Sequence, residues 1–181
     1  MKVISIDELK NKLEALENGL KSKTACFTGH RPQKLPWGFN EADIRFIKMK
    51  KKTKKEILKA IKNGYKYFIC GMALGFDMMC AEIIIEFQKK YNIELICAIP
   101  CENQSKFWNI QQKERYEKIK KQANHIRCIY KTYHKGCMQE RNKFMIENSS
   151  LVIALFNGQS GGTERTLEFA KLKSLKIVIV N

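Results

Sequence analysis

The stretch Leu151-Val152-Ile153-Ala154-Leu155-Phe156-Asn157-Gly158-Gln159-Ser160-Gly161-Gly162-Thr163 decides the fold. An unbroken apolar run, with no polar alternation, reads as a strand covered on both faces. Glycines end it, and a helical pattern then runs over 163–174. Buried strand, glycine turn and helix together form the repeating unit of a parallel sheet, where each strand is reached by a crossover.

The same unit recurs along the chain. Strand candidates are Thr24–Thr28, Tyr65–Cys70, Ile93–Ile99, His125–Tyr130 and Lys176–Val180, besides Leu151–Phe156. Helical patterns occupy 41–63, 76–91, 105–123 and 137–148. In the first of these, Phe46, Met49, Thr53, Ile57 and Ala60 keep helical spacing, and the lysines fall mostly on the other faces. The spacing predicts an α/β fold: a three-layer, Rossmann-like, doubly wound parallel sheet of about six strands over residues 23–181. Residues 1–22 read as an N-terminal helical extension packed on that domain. Ser5 and Glu8 offer a capping box, and Ile6, Leu9, Leu13, Leu16 and Leu20 share a stripe. The segment His30–Asn40, with Pro32, Pro36, Trp37 and Gly38, is the most loop-like and is placed to cover a pocket.

Composition narrows the class. Apolar residues make up 44%, which argues against long disorder. No apolar run approaches the roughly 20 residues of a membrane span, and Met1–Leu20 is too charged for a signal peptide. The cytoplasm is therefore the expected location. The seven cysteines are odd in number and lack CxxC spacing. They read as reduced core thiols rather than disulfides or zinc ligands. No metal site and no cofactor is called for. The net charge of +16 favours an anionic partner, whether nucleotide, nucleic acid or acidic lipid.

In open parallel sheets, ligands sit outside the carboxyl ends of the strands. Three of the segments that follow strands carry the candidate glycines. These are Thr28-Gly29-His30-Arg31, Gly71 to Gly75 with Asp77, and Gly161-Gly162-Thr163. Glycine lets backbone approach a ligand, and the following helix N-terminus suits phosphate. The alternative is that the glycines only make tight turns. Thr28, Gly29, His30, Arg31, Gly71, Gly75, Asp77, Gly161, Gly162 and Thr163 are the candidate ligand-binding residues. Asp77 could equally cap its own helix, and Thr28 could simply close its strand. Neither a GxGxxG fingerprint nor a Walker A loop is present.

Several pieces in order carry a family resemblance: Phe27-Thr-Gly-His-Arg-Pro32, Pro36-Trp-Gly-Phe-Asn-Glu41, Gly71-Met-Ala-Leu-Gly-Phe-Asp77, Ala98-Ile-Pro100, Trp108 with Tyr116, Arg141-Asn142 with Met145, and Gly161-Gly162-Thr163. From about Thr24 to Asn181 the chain resembles the YpsA-like members of the SLOG superfamily. That superfamily also includes the LOG cytokinin-activating enzymes and the Rossmann core of DprA. The resemblance implies a nucleotide-type ligand. LOG enzymes hydrolyse the N-glycosidic bond of a nucleoside 5′-monophosphate, using a PGGxGTxxE motif and an arginine on the preceding helix. Gly161 and Gly162 match the paired glycines, Glu168 the final glutamate and Arg141 the arginine. Arg141 and Glu168 are thus the candidate catalytic residues. Ser160, Glu164 and Arg165 depart from the motif, and a carboxylate at Glu164 should repel phosphate unless turned away.

Three functions follow as expectations. The first is binding of a nucleoside phosphate or ADP-ribose-like molecule at the strand ends, in a sensing or regulatory role. The second is an N-glycosidic hydrolase using Arg141 and Glu168. The third, ranked lower, is DprA-like binding of single-stranded DNA. A homodimer through surface helices is a further expectation.

Overall fold

The computed structural model describes residues 6–181, with side chains from Glu14 onward. The Ser5–Glu8 capping box and the side chains of Ile6, Leu9 and Leu13 lie outside the described residues. The helix α1 spans Ile6–Ser22, and its Leu16 and Leu20 are exposed.

Six strands form one sheet: β1 (Thr24–Gly29), β2 (Tyr67–Cys70), β3 (Glu94–Cys101), β4 (His125–Tyr130), β5 (Leu151–Leu155) and β6 (Lys176–Ile179). Every pairing is parallel, in the order β4-β3-β2-β1-β5-β6. The connecting helices are α2 (Ile44–Lys62), α3 (Phe76–Gln88), α4 (Ile110–Gln122), α5 (Cys137–Glu147) and α6 (Gly162–Leu172). From β1 the chain walks outward to β4, then returns to the other side of β1 at β5. Crossovers of one hand that run in opposite directions put their helices on opposite faces.

The strand residues divide accordingly. Phe27, Phe68, Leu95 and Ile153 pack with Phe46 and Ile57 of α2, Met79 and Ile83 of α3, and Tyr116 and Ile119 of α4. Cys26, Ile69, Ala98 and Val152 pack with Met145 and Ile146 of α5 and Leu167 and Ala170 of α6. Both faces of the sheet are covered, which is why its central strands are apolar throughout. The edge strands β4 and β6 are the exceptions, and β4 is the more open. His125, Ile126 and Arg127 are exposed there, and His125 pairs with Glu94 at 2.9 Å.

Element ends move where local chemistry overrides period. The helical pattern over 105–123 begins only at Ile110, because Asn109 and Gln112 form a reciprocal capping box. Asp43 caps α2 by accepting from the Arg45 N–H at 2.8 Å. All seven cysteines are free thiols, six of them buried. Burial pushes the Cys26 and Cys97 thiols up to about 12. No helix among the described residues is long and apolar enough to cross a membrane.

Tyr116 is fully buried, with its ring edge-on to Trp108 at 5.3 Å, and its hydroxyl has no hydrogen-bond partner among the described residues. A buried, unsatisfied hydroxyl costs about 1–3 kcal/mol. Tyr116→Phe therefore raises the urea midpoint or leaves it unchanged. Ile57→Ala, which opens a cavity in the same core, lowers stability by about 2–5 kcal/mol. Equal loss in the two variants, measured by urea unfolding, would contradict this view of the core.

Candidate functional site

The strand order reverses between β1 and β5, and the carboxyl ends of the strands at such a point frame a crevice. The crevice here has a volume of about 560 Å³. One wall runs from the end of β1 at Thr28 and Gly29 through His30 and Arg31, continued by Gln33 and Lys34. The floor includes Ala73 and Asp77, after β2. Tyr133, Lys135 and Gly136 come from the turn after β4, followed by Met138, Gln139, Arg141 and Asn142 of α5. Gly162 and Thr163 open α6 on the far side. Four cations, Arg31, Lys34, Lys135 and Arg141, face this space against the single carboxylate of Asp77.

Arg141 lies in the middle of α5 and is only 4% exposed. Its Nη1 stands 3.9 Å from the Asp77 carboxylate, too far for a hydrogen bond. Nε and Nη1 are buried and have no partner among the described residues. Burial opposes the charge of both partners, pushing the Asp77 carboxyl up and the Arg141 guanidinium down. Asp77 lies in the first turn of α3 and accepts from the Ala73 N–H at 3.3 Å, closing the Gly71–Gly75 turn onto its own helix.

This turn corrects one expectation. Gly71 and Gly75 do not line the crevice. A Cβ on Gly71 would fall 2.1 Å from Arg141 Nη1, so the missing side chain makes room for the guanidinium. Gly75 has φ +90° and would place a Cβ 2.8 Å from the Pro32 ring. Both glycines serve close packing within the chain, one step removed from the crevice. Gly161 is similarly occupied, with Lys34 Nζ 2.9 Å from its would-be Cβ.

Lys34 clasps the crevice at this end. Its Nζ donates to the Ser160 carbonyl at 2.7 Å, and Asn157 Nδ2 donates back to the Lys34 carbonyl at 3.2 Å. A single 3-10 turn, Pro32–Lys34, sets that reach. The His30 N–H donates to the Leu155 carbonyl at 3.2 Å, which carries the β1–β5 ladder past Gly29. The ring of His30 is buried, 5.4 Å from that of Phe156, and its Nε2 has no partner among the described residues. Thr28 and Thr163 are buried in the walls.

The two candidate catalytic residues are not brought together. Arg141 lines the crevice, whereas Glu168 is exposed on α6 and outside the lining. Glu164 also stays out of the lining, so Asp77 supplies the one carboxylate among the lining residues. Lys34, Tyr133, Lys135, Gln139 and Asn142 also line the crevice, although none is among the candidate ligand-binding residues. Tyr133 is 62% exposed, an aromatic ring at the mouth. Asn142 Nδ2 donates to Thr166 Oγ1 at 2.9 Å, which itself donates to the Gly162 carbonyl at 2.7 Å, joining α5 to the start of α6.

The segment His30–Asn40 borders two spaces: His30, Arg31, Gln33 and Lys34 wall the crevice, and Pro32, Leu35, Trp37, Gly38 and Phe39 cover a separate pocket. That pocket is a smaller cavity of about 140 Å³, lined by Leu35, Trp37, Phe46 and Phe76 among others. Trp37 is edge-on to Phe46 at 6.4 Å, and the segment's end is tied down by Arg115, which bonds Glu41 at 2.6 Å and Glu82 at 2.7 Å. No cluster of His, Cys, Asp and Glu among the described residues could hold a metal ion.

Comparison with known proteins agrees with this architecture. The model of the YspA SLOG family matches residues 25–176. A UPF0398 protein of Brevibacillus brevis is 28% identical over 132 residues, 71% of this chain and 70% of that protein. The SPbeta prophage-derived protein YoqJ of Bacillus subtilis is 32% identical over 139 residues, 69% of this chain and 81% of its own. Among solved structures, DNA processing protein A (DprA) of Streptococcus pneumoniae superposes with a TM-score of 0.60 at 14% identity, over 88% of this chain and 50% of that one. The Helicobacter pylori DNA processing protein A, described for its single-stranded DNA binding mode, gives 0.61 at 18% identity, over 88% and 66%. This chain thus spans half to two thirds of those proteins, and at such identities the likeness is one of fold.

Burial, and next the Lys34 ammonium, hold the His30 imidazole below its ordinary 6.5. The folded chain therefore carries His30 neutral where the unfolded chain begins to protonate. That part of the stability is present above about pH 6.5 and is lost as pH falls toward the folded value. Urea midpoints taken from about pH 7.5 to about pH 5.5 should fall more steeply for the native chain than for His30→Phe, which cannot titrate. Parallel slopes would show that His30 is not held neutral.

Proposed function

The chain belongs to the YspA SLOG family, and on that footing we propose that its crevice binds a nucleotide-derived, phosphate-bearing small molecule, a nucleoside phosphate or an ADP-ribose-like compound, in a sensing or regulatory role. One observation carries the reading: the guanidinium of Arg141 is buried beside the crevice with Nε and Nη1 unpartnered among the described residues. Leaving charged donors desolvated and unpaired is expensive, and a phosphate oxygen is the acceptor whose shape and charge fit them. Arg31, Lys34 and Lys135 add positive charge around the same space. The N-terminus of α6 at Gly162–Thr163 supplies free N–H groups and the positive end of a helix dipole.

Binding is favoured over N-glycosidic hydrolysis by the position of Glu168. An exposed carboxylate outside the lining has no route to a sugar held by Arg141. Binding of single-stranded DNA, as described for the H. pylori protein, would present similar phosphates to the same crevice.

Calorimetric titration with ADP-ribose, nucleoside mono- and diphosphates and a short single-stranded oligonucleotide tests the proposal. A nucleotide should bind with an affinity that drops about tenfold or more in Arg31→Ala, an exposed residue whose loss leaves the fold intact. The paired variant Arg141→Met with Asp77→Asn, which leaves no buried charge uncompensated, should abolish the heat. No heat from any nucleotide at millimolar concentration would refute the proposal. Heat from the oligonucleotide alone would move the function to nucleic acid.

A further inference from the structure

We propose that the outer face of α2 is a docking surface for the phosphate backbone of nucleic acid, separate from the crevice and independent of what the crevice binds. The helix Ile44–Lys62 carries nine basic residues and one acidic residue, a net +8 that is half of the chain's +16. The buried face is made by Phe46, Met49, Thr53, Ile57 and Ala60. On the opposite side Lys48, Lys52, Lys55, Lys59 and Lys62 recur every three or four residues, with Lys51 beside them, and all six are exposed.

Local partners neutralise only part of this row. Lys59 pairs with Glu56 at 2.8 Å, Lys54 at the flank takes Glu86 of α3 at 2.7 Å, and Lys52 donates to the main-chain oxygen of Asn181 at 3.0 Å. Lys48, Lys51, Lys55 and Lys62 have no acidic partner among the described residues. Like charges at i,i+4 repel along a helix, and here Lys48–Lys52, Lys51–Lys55 and Lys55–Lys59 all do so. The fold carries this repulsion because the opposite face is buried. A polyanion laid along the row would relieve it.

The geometry suits a strand of phosphates. From Lys48 to Lys62 the helix rises about 21 Å, roughly the span of six nucleotides of one strand in a duplex. A membrane surface fits less well. A helix that lies in a bilayer interface needs its apolar face free, and the apolar face of α2 is spent in the core.

The experiment measures fluorescence anisotropy of labelled duplex and single-stranded DNA of about thirty nucleotides against the full chain, from about 50 to about 200 mM salt. A combined variant, Lys48→Gln, Lys51→Gln, Lys55→Gln and Lys62→Gln, removes the four unpaired lysines, and its melting temperature checks that the fold survives. The native chain should bind with affinity that falls steeply with salt. The variant should bind at least tenfold more weakly, with the log–log salt slope reduced by about three to four on duplex. Preference for duplex or single strand identifies the form bound, and either supports the proposal. Three results would overturn it: no DNA binding by the native chain, equal slopes in native and quadruple-variant proteins, or tighter binding to phosphatidylserine-containing vesicles than to either DNA.

Discussion

Arg141 and Asp77 form a charge pair that the sheet cannot hydrate and the helices cannot fully satisfy. The guanidinium projects from α5, on one side of the sheet, and the carboxylate from α3, on the other. They meet past the carboxyl ends of the strands, where Gly71 has no side chain to keep them apart. Desolvating two charges costs several kcal/mol each unless geometry and hydrogen bonds offset it. At 3.9 Å the offset is incomplete. The surrounding chain is arranged around that deficit: the Gly71–Gly75 turn holds Asp77 through Ala73, Pro32 closes over Gly75, and Lys34 ties the β1 loop to the β5 loop. What these contacts leave open is a cationic crevice at the switch point of the sheet.

Within the described residues nothing accepts from Arg141 Nε or Nη1. An anion in the crevice would complete the network, and the helix start at Gly162–Thr163 lies across the same space. Among the chain's 34 basic residues, four line the crevice and nine lie on α2, outside that lining. A buried guanidinium with vacant donors suits one small anion by shape, the proposed role of the crevice. A row of exposed ammonium groups attracts extended phosphate with little selectivity.

Much of the fold could be read in the chain, because a parallel sheet leaves a strong signal. Continuous apolar runs such as Leu151–Leu155 cannot be half-solvated, and the period of Phe46, Met49, Thr53, Ile57 and Ala60 admits only a helix. Boundaries moved where side chains cap backbone, as at Asn109 and Asp43. The site was legible in part. Thr28–Arg31, Asp77 and Gly162–Thr163 do border one crevice, since all follow adjacent strands. Gly71 and Gly75 were indistinguishable in sequence from ligand-cradling glycines, because a sequence shows that a Cβ is missing and not what fills its place. Lys34, Tyr133 and Lys135 were not among the candidates for a related reason. They enter from a 3-10 turn and an edge-strand turn whose direction depends on tertiary contacts such as the Lys34–Ser160 clasp. Glu168 matched a motif by spacing, yet the face of α6 it occupies looks outward.

The side-chain Nε–H resonance of Arg141 in a nitrogen–proton correlation spectrum reports on the vacant donor itself. Titration with ADP-ribose or a nucleoside diphosphate should move that resonance downfield, in step with the amides of Gly29, His30, Arg31 and Thr163, at ligand concentrations below millimolar. An Arg141 signal that stays fixed while the ligand shifts amides elsewhere, or that stays fixed because nothing binds, would contradict the assignment of the crevice as a phosphate site.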